Sequence, residues 1–478
     1  MPFTPVYRPE ARFAALGPDF ADVVRPADFP KTIVRFRNDR IAARVGLDAL
    51  TDDEWVRRLA RFEPLPGAQG EPLAMRYHGH QFRVYNPDLG DGRGFLYAQL
   101  REAGTDRLLD LGTKGSGRTP WSRTADGRLT LKGGVREVLA TETLEALGVP
   151  TSKSLSLVET GEDLVRHDEP SPTRSAVLVR LSHGHVRFGT FQRHAYEDRP
   201  DRIRTLVDHV VEVYYPELLA ETGPERARAL LRAVVARSAR LVARWTAAGF
   251  VHGVLNTDNM NMTGESFDYG PYRFLPAYDP MFTAAYFDHA GLYAFGRQAP
   301  AVFWNLAQLA GCLTLVAPEE EPLVEALNGF ADLHQAEIRA AVLGRLGLRS
   351  RSAEEDAALA DAALALLSEG GEALRWEPLW FDWFCGAAST PRALSGPRGA
   401  LYETDAGRAF RERLAAYDPD RPERLDADYF RRGEPEELLY PEIEAIWARI
   451  ARSDDWSAFH AKIARLGEAR EAYAIAVP

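Results

Sequence analysis

The sequence predicts an α+β fold of two lobes: a β-rich first lobe with one key helix, then a helical second lobe. Three observations predict it. Short apolar runs bounded by turn residues fill residues 94–181, with a single helical pattern among them. Long helical periodicity dominates after about residue 195. Between those helices lies an irregular stretch, rich in Asn and Asp, over 250–280. The lobes are expected over 1–190 and 191–478, with a cleft between them.

The elements follow in order. The first ninety residues read as an extended arm with one short helix. Thr51 and Glu54 form a capping box, and Trp55, Leu59 and Phe62 follow at helical spacing. Strands are expected over 94–100, 108–114 and 129–132, with the turn-rich loop GSGRTPWSRTADGR before the last. A helix over 134–147 carries Val135, Val138, Leu139 and Leu144 as its buried stripe, and Gly148 with Pro150 ends it. Strands at 154–158 and 176–181 complete the first lobe. Helices are expected over 202–219, 224–248, 301–316, 322–343, 353–367 and 436–450.

Composition narrows the function. An apolar fraction of 45% in a chain of 478 residues is that of a folded protein with a large core. The 58 basic and 69 acidic residues leave a net charge of −11, which argues against binding nucleic acid or an anionic membrane in bulk. The two cysteines, Cys312 and Cys385, have neither disulfide-framework nor zinc spacing. The first twenty residues hold no apolar signal region, and no uncharged apolar run nears 18 residues, so a cytoplasmic protein is expected; separately, a monomer is expected.

The most informative segment is His252-Gly253-Val254-Leu255-Asn256-Thr257-Asp258-Asn259, followed by Asp268-Tyr269-Gly270. Kinases place a metal-binding Asn at the end of a catalytic loop and a metal-binding Asp in an Asp-aromatic-Gly turn. An amide oxygen and a carboxylate suit Mg²⁺, which keeps positions for phosphate and water. Val254 stands where a kinase carries its base, so Asp258 is the carboxylate left in the loop. Such Asn- and Asp-rich strings are commonly surface turns; the flanking motifs favour a site.

A kinase also sets a strand Lys on the phosphates and orients it with a helix Glu. Lys114, at a strand end, and Glu137, on the next helix, fit those roles. Leu89-Gly90-Asp91-Gly92-Arg93 can bring backbone N–H groups and an Arg to a phosphate. Gly112 to Thr119 nearly matches a P-loop, but Pro120 and turn residues follow where a helix must begin. The pairs His78/His80 and His183/His185 lack the companions of a zinc hydrolase and read as loop or packing residues. Arg180 and Arg187 flank the second pair and carry the forked donors that suit phosphate.

Together these strings resemble selenoprotein O, the YdiU-like protein adenylyltransferases. The matching segments are YHGHQF (77–82), LGDGR (89–93), TKGSGRTPWSRTADGR (113–128), VREVLATETLEALGVPT (135–151), HVRFGTF (185–191), GFVHGVLNTDNM (249–260) and FDYGPYRFLPAYDP (267–280). The resemblance implies a protein-kinase-like fold, a pseudokinase that binds ATP inverted and transfers AMP to Ser, Thr or Tyr of protein substrates. It implies that Gly90, Gly92, Arg93, Lys114, Asp126, Gly127, Arg180, Arg187 and Asp268 bind ATP and that Glu137 holds Lys114. Asp258 would accept the proton, and Asn259 and Asp268 would bind Mg²⁺ or Mn²⁺. The chain departs from the family pattern at Arg83, commonly Gly, and in its C-terminal region, which lacks a terminal Cys or selenocysteine. A kinase acting on a protein or small molecule, and an inactive nucleotide-binding scaffold, are the alternatives.

Overall fold

The computed structural model describes residues 3–167 and 169–476. Its first part is built on an antiparallel sheet of nine strands. The presumed arm is not free. Its strands β1 (Pro9–Glu10), β2 (Ala21–Val23) and β3 (Ile33–Arg37) all join that sheet, pairing with later strands. Two helices follow, α1 (Asp39–Arg44) and α2 (Asp52–Leu59), and α2 opens on the Thr51/Glu54 capping box. Then come β4 (Leu73–Met75) and a separate hairpin of β5 (Gly79–Gln81) and β6 (Val84–Asn86). Phe82 and Arg83 turn that hairpin, both at positive φ, the geometry a two-residue hairpin turn needs. The Arg83 guanidinium lies over the Trp304 ring, 5.5 Å from its centre, within the reach of a cation–π contact.

The sheet centre is β7 (Leu96–Arg101), β8 (Leu108–Lys114), β10 (Lys153–Leu164) and β11 (Thr173–Ser182), in the order β7-β8-β11-β10. Side-chain alternation buries both faces. In β11, Val177, Val179 and Leu181 pack with Trp55 and Leu59 of α2. Ala176 and Leu178 share the opposite cluster with α3 (Leu131–Ala146). The expected strand at 129–132 shrinks to β9 (Leu129–Thr130), because Thr130 caps the helix: its hydroxyl accepts from Gly133 N at 3.1 Å. Val135, Val138, Leu139 and Leu144 are all fully buried.

The second part is mostly helical. It begins with α4 (Phe188–Tyr196), a helix additional to those the sequence predicts, then α5 (Pro200–Tyr214) and the long α6 (Gly223–Ala247). The irregular stretch holds only the short ribbon β12 (Phe250–Val251) with β13 (Arg273–Phe274). After it come α7 (Gln298–Leu313), α8 (Glu321–Asn328), α9 (Phe330–Leu346) and α10 (Ala353–Gly370). The single helix expected over 322–343 is thus broken at Gly329, a poor helix former. Three short helices, α11 (Trp376–Asp382), α12 (Thr390–Ser395) and α13 (Asp405–Leu414), precede α14 (Tyr440–Ser453) and α15 (Ser457–Tyr473). The last two return to pack on α3, where Lys132 meets Glu444 at 2.8 Å and Arg470 meets Glu142 at 2.9 Å. Among the described residues, no helix is long and apolar enough to cross a membrane.

Candidate active site

Lys114 ends β8 in the middle of the sheet, so its side chain leaves a rigid strand toward α3. It is buried and pairs with Glu137 of that helix; its Nζ also lies 2.5 Å from Asp268 Oδ1. Asp268 has φ 68°, a left-handed conformation that costs a non-glycine residue about 1 kcal/mol or more. Arg180 of β11 reaches the same carboxylate at 3.5 Å. Arg187, at the start of α4, donates to Asp258 O at 3.0 Å and to Asp91 Oδ1 at 3.1 Å. The Phe267 ring lies 5.4 Å from the Arg180 guanidinium and 5.0 Å from that of Arg187. Burial alone would raise the Asp268 carboxyl. The charges of Lys114, Arg180, Arg93 and Arg187 outweigh it and hold Asp268 well below the usual carboxylate range.

Asp258 has the opposite environment. It lies in the 3₁₀ turn Thr257–Asn259, is 9% exposed, and its Oδ1 has no hydrogen-bond partner among the described residues. Burial pushes its carboxyl up to about 6, against the pull of Arg187. The turn is fixed from outside by the β5 hairpin. His80 N donates to Thr257 Oγ1 at 2.7 Å, and Phe82 N donates to Asn256 Oδ1 at 3.0 Å. The ring of His80 hydrogen-bonds Gln192, whose Oε1 in turn accepts from Thr257. Of the other paired histidines, His78 contacts the Tyr85 hydroxyl at 2.8 Å and His185 lies against Asp110 at 3.4 Å. Asn259 donates its amide nitrogen to Val254 O at 3.0 Å, which fixes the amide plane.

A cavity of about 320 Å³ brings together Gly90, Gly92, Arg93, Lys114, Arg180, Arg187, Asp258 and Asp268. Glu137 stands behind Lys114, on an adjoining space of about 490 Å³ that shares Arg93 and Lys114. Asp126, Gly127 and Asn259 line neither space. Asp126 is turned to Arg166, at 2.8 Å, and caps Arg128 N. Gly127 packs on the backbone of Gly117, where a Cβ would fall 2.3 Å from Gly117 O. Gly90 and Gly92 also have a steric reason to be glycine: a Cβ would fall 2.3 Å from the Trp121 ring and 2.8 Å from Trp121 O. The near-P-loop segment thus clamps the Gly-Asp-Gly turn, with Thr119 Oγ1 donating to Asp91 O at 2.6 Å. Sequence reasoning missed Tyr77, Asp91 and Trp121 as lining residues, although all three lie inside the motifs it singled out.

By chemical type, two of the residues named from the sequence suit a small hard cation, although only Asp268 of the two lines the cavity. Asp268 and Asn259 offer a carboxylate and an amide oxygen, and the unpartnered Oδ1 of Asp258 stands in the residue next to Asn259. No group of three or more His, Cys, Asp or Glu gathers among the described residues. Two protein oxygens completed by phosphate and water are the usual ligation of Mg²⁺.

Comparison with known proteins first gives the class. Curated proteins of Gloeobacter violaceus and Synechocystis, both named protein nucleotidyltransferase YdiU, are 47% and 43% identical to this chain. The alignments cover 98% and 96% of this chain, and 96% and 97% of those proteins. The like-named protein of Pseudomonas putida is 41% identical over 75% of the chain and 72% of its own length. The family described as protein adenylyltransferase SelO matches residues 6–375. The chain therefore belongs to the SelO/YdiU family of protein nucleotidyltransferases.

Both cysteines are buried, in α7 and after α11. Burial pushes the Cys312 thiol up to about 12 and that of Cys385 up to about 11. Neither forms thiolate readily, so activity is expected to be the same with and without dithiothreitol. A large reversible change in rate would contradict this.

Proposed function

We propose that the chain is a protein adenylyltransferase, which transfers AMP from ATP to Ser, Thr or Tyr hydroxyls and releases pyrophosphate. The observation that carries the reading is the buried carboxylate of Asp258, its Oδ1 without a partner among the described residues, beside the cluster of Lys114, Arg180, Arg187 and Asp268. Arg180 Nε and Nη1 and Arg187 Nε are buried without a hydrogen-bond partner among the described residues, and the oxygens of a triphosphate would satisfy such donors. In this reading residues 1–190 and 191–478 act as the two lobes of a kinase-like fold, with the nucleotide inverted between them. Lys114, Arg180, Arg187 and Arg93 hold the β- and γ-phosphates, and Glu137 orients Lys114. Asp126 and Gly127 would reach the nucleoside from the rim of the cleft.

The acceptor hydroxyl oxygen forms a bond to the α-phosphorus while the bond from that phosphorus to the β-phosphate oxygen breaks. The hydroxyl proton passes to Asp258, and pyrophosphate leaves with the β- and γ-phosphates. Mg²⁺ or Mn²⁺ on Asn259 and Asp268 would offset charge on the phosphates. Family membership supports transfer to protein: the relatives' names specify a protein nucleotidyltransferase and, for the family, a protein adenylyltransferase. The test uses ATP labelled at the α- or the γ-phosphate, incubated with the enzyme and a cell extract. Label is expected in protein from the α-position only. Label from the γ-position only would replace this reading with a kinase.

A further inference from the structure

A second cavity of about 400 Å³ lies away from the site described above and shares no lining residue with it. Five cationic side chains line it, Arg44, Arg107, Lys153, Arg237 and Arg240, against two carboxylates, Glu145 and Glu265. That excess is notable in a chain of net charge −11. Some of the cations are satisfied within the protein: Glu102 takes both Arg44 and Arg107, and Arg240 meets Glu337 at 2.9 Å. Lys153 has only a long ion pair, and Arg237, whose guanidinium donates to Tyr214 O at 3.2 Å and lies 3.8 Å from the Tyr215 ring centre, has no close carboxylate. Lys153 has Glu145 at 3.5 Å, and Glu145 is already held by Arg40 at 2.6 Å. Arg237 has Glu217 at 3.6 Å. Thr263, which also lines the cavity, is 6% exposed, and its hydroxyl has no hydrogen-bond partner among the described residues. Buried hydroxyls are rarely left so.

We propose that this cavity is a second ligand site, for a small organic phosphate. Lys153 and Arg237 supply the charge for the phosphate group, as charge-assisted donors do. Thr263 and Glu265 offer polar groups to the sugar-like remainder; Glu265 already accepts from His183 N at 2.7 Å through Oε2. The volume exceeds that of the catalytic cavity, so it admits a sugar phosphate as well as a free phosphate ion. One wall of the cavity belongs to the same chain segment as the active site. Thr263 to Glu265 lie between Asp258 and Asp268 in the chain, and the next residue, Ser266, is tied to the start of β10: Ser152 N donates to Ser266 O and Ser266 N donates to Pro150 O, both at 2.9 Å.

The test uses the full chain with its catalytic cavity saturated by a non-hydrolysable ATP analogue and Mg²⁺. Ribose 5-phosphate and inorganic phosphate are titrated separately by calorimetry. One equivalent of ribose 5-phosphate is expected to bind, with inorganic phosphate weaker at the same site. Lys153→Met is expected to weaken both by about tenfold or more, the value of one charge-assisted hydrogen bond. Thr263→Val, a near-isosteric change, is expected to weaken ribose 5-phosphate less than Lys153→Met does. Absence of binding by either compound at millimolar concentration overturns the proposal. So does binding that is unchanged in both variants, with their melting curves matching the wild type.

Discussion

Asp268→Ala is expected to lower AMP transfer by at least about 10³-fold, the scale on which loss of a principal electrostatic group acts. The same substitution is expected to lower the melting temperature, because Asp268 is the shared counter-charge of Lys114 and Arg180. The sign follows from its depressed carboxyl. A group held below its unfolded value stabilises the fold above that unfolded value, and the contribution is lost as pH falls through the folded one. Wild type and variant should therefore differ most near neutral pH and converge in acid. Transfer from α-labelled ATP, with melting curves between pH 3 and 8, measures both. A variant with near wild-type rate at saturating Mg²⁺ and Mn²⁺ would remove Asp268 from the site.

The parts of this arrangement legible in the sequence are those that local chemistry dictates. The strand at 108–114 was bounded as observed, because its apolar run stops at Lys114 and a glycine follows. Lys114 at a strand end and Glu137 on the next helix could be named only in company with the motif around Asn259 and Asp268, and the fold brings them into contact. What stayed hidden depends on distant partners. The first strands look like an arm, since β1 is two residues and β2 three, and only pairing with β7 and β4 makes them strands. Helix α4 was missed because Phe188-Gly189 opens it without a Ser, Thr, Asp or Asn cap. Asp126 was placed on the nucleotide by its motif, whereas its carboxylate is engaged by Arg166, a residue no motif linked to it. Gly90 was read as a phosphate-facing glycine, and Trp121, thirty-one positions later, gives it a packing reason as well.

Asp258→Asn separates function from stability most sharply. Transfer is expected to fall by about 10²-fold or more, since the amide cannot accept the hydroxyl proton. The folded protein is expected to become more stable at pH 7, not less. Burial raises the Asp258 carboxyl from 3.8 to about 6, and its Oδ1 has no partner to offset the cost of the charge. A carboxyl raised on folding binds its proton more tightly in the folded state, so stability falls as pH climbs from the unfolded value to the folded one. Above about pH 6 the full penalty is present, of order 2–3 kcal/mol at 1.36 kcal/mol per pH unit. Asn carries no charge and escapes it. In metal-free buffer with chelator, Asp258→Asn should thus melt higher than wild type at pH 7 to 8, and the gap should narrow below pH 6 and close near pH 4. A variant that melts lower than wild type at pH 8 would mean that Asp258 is held by a partner in the folded state. The carboxylate would then not be poised to take a proton from a substrate hydroxyl.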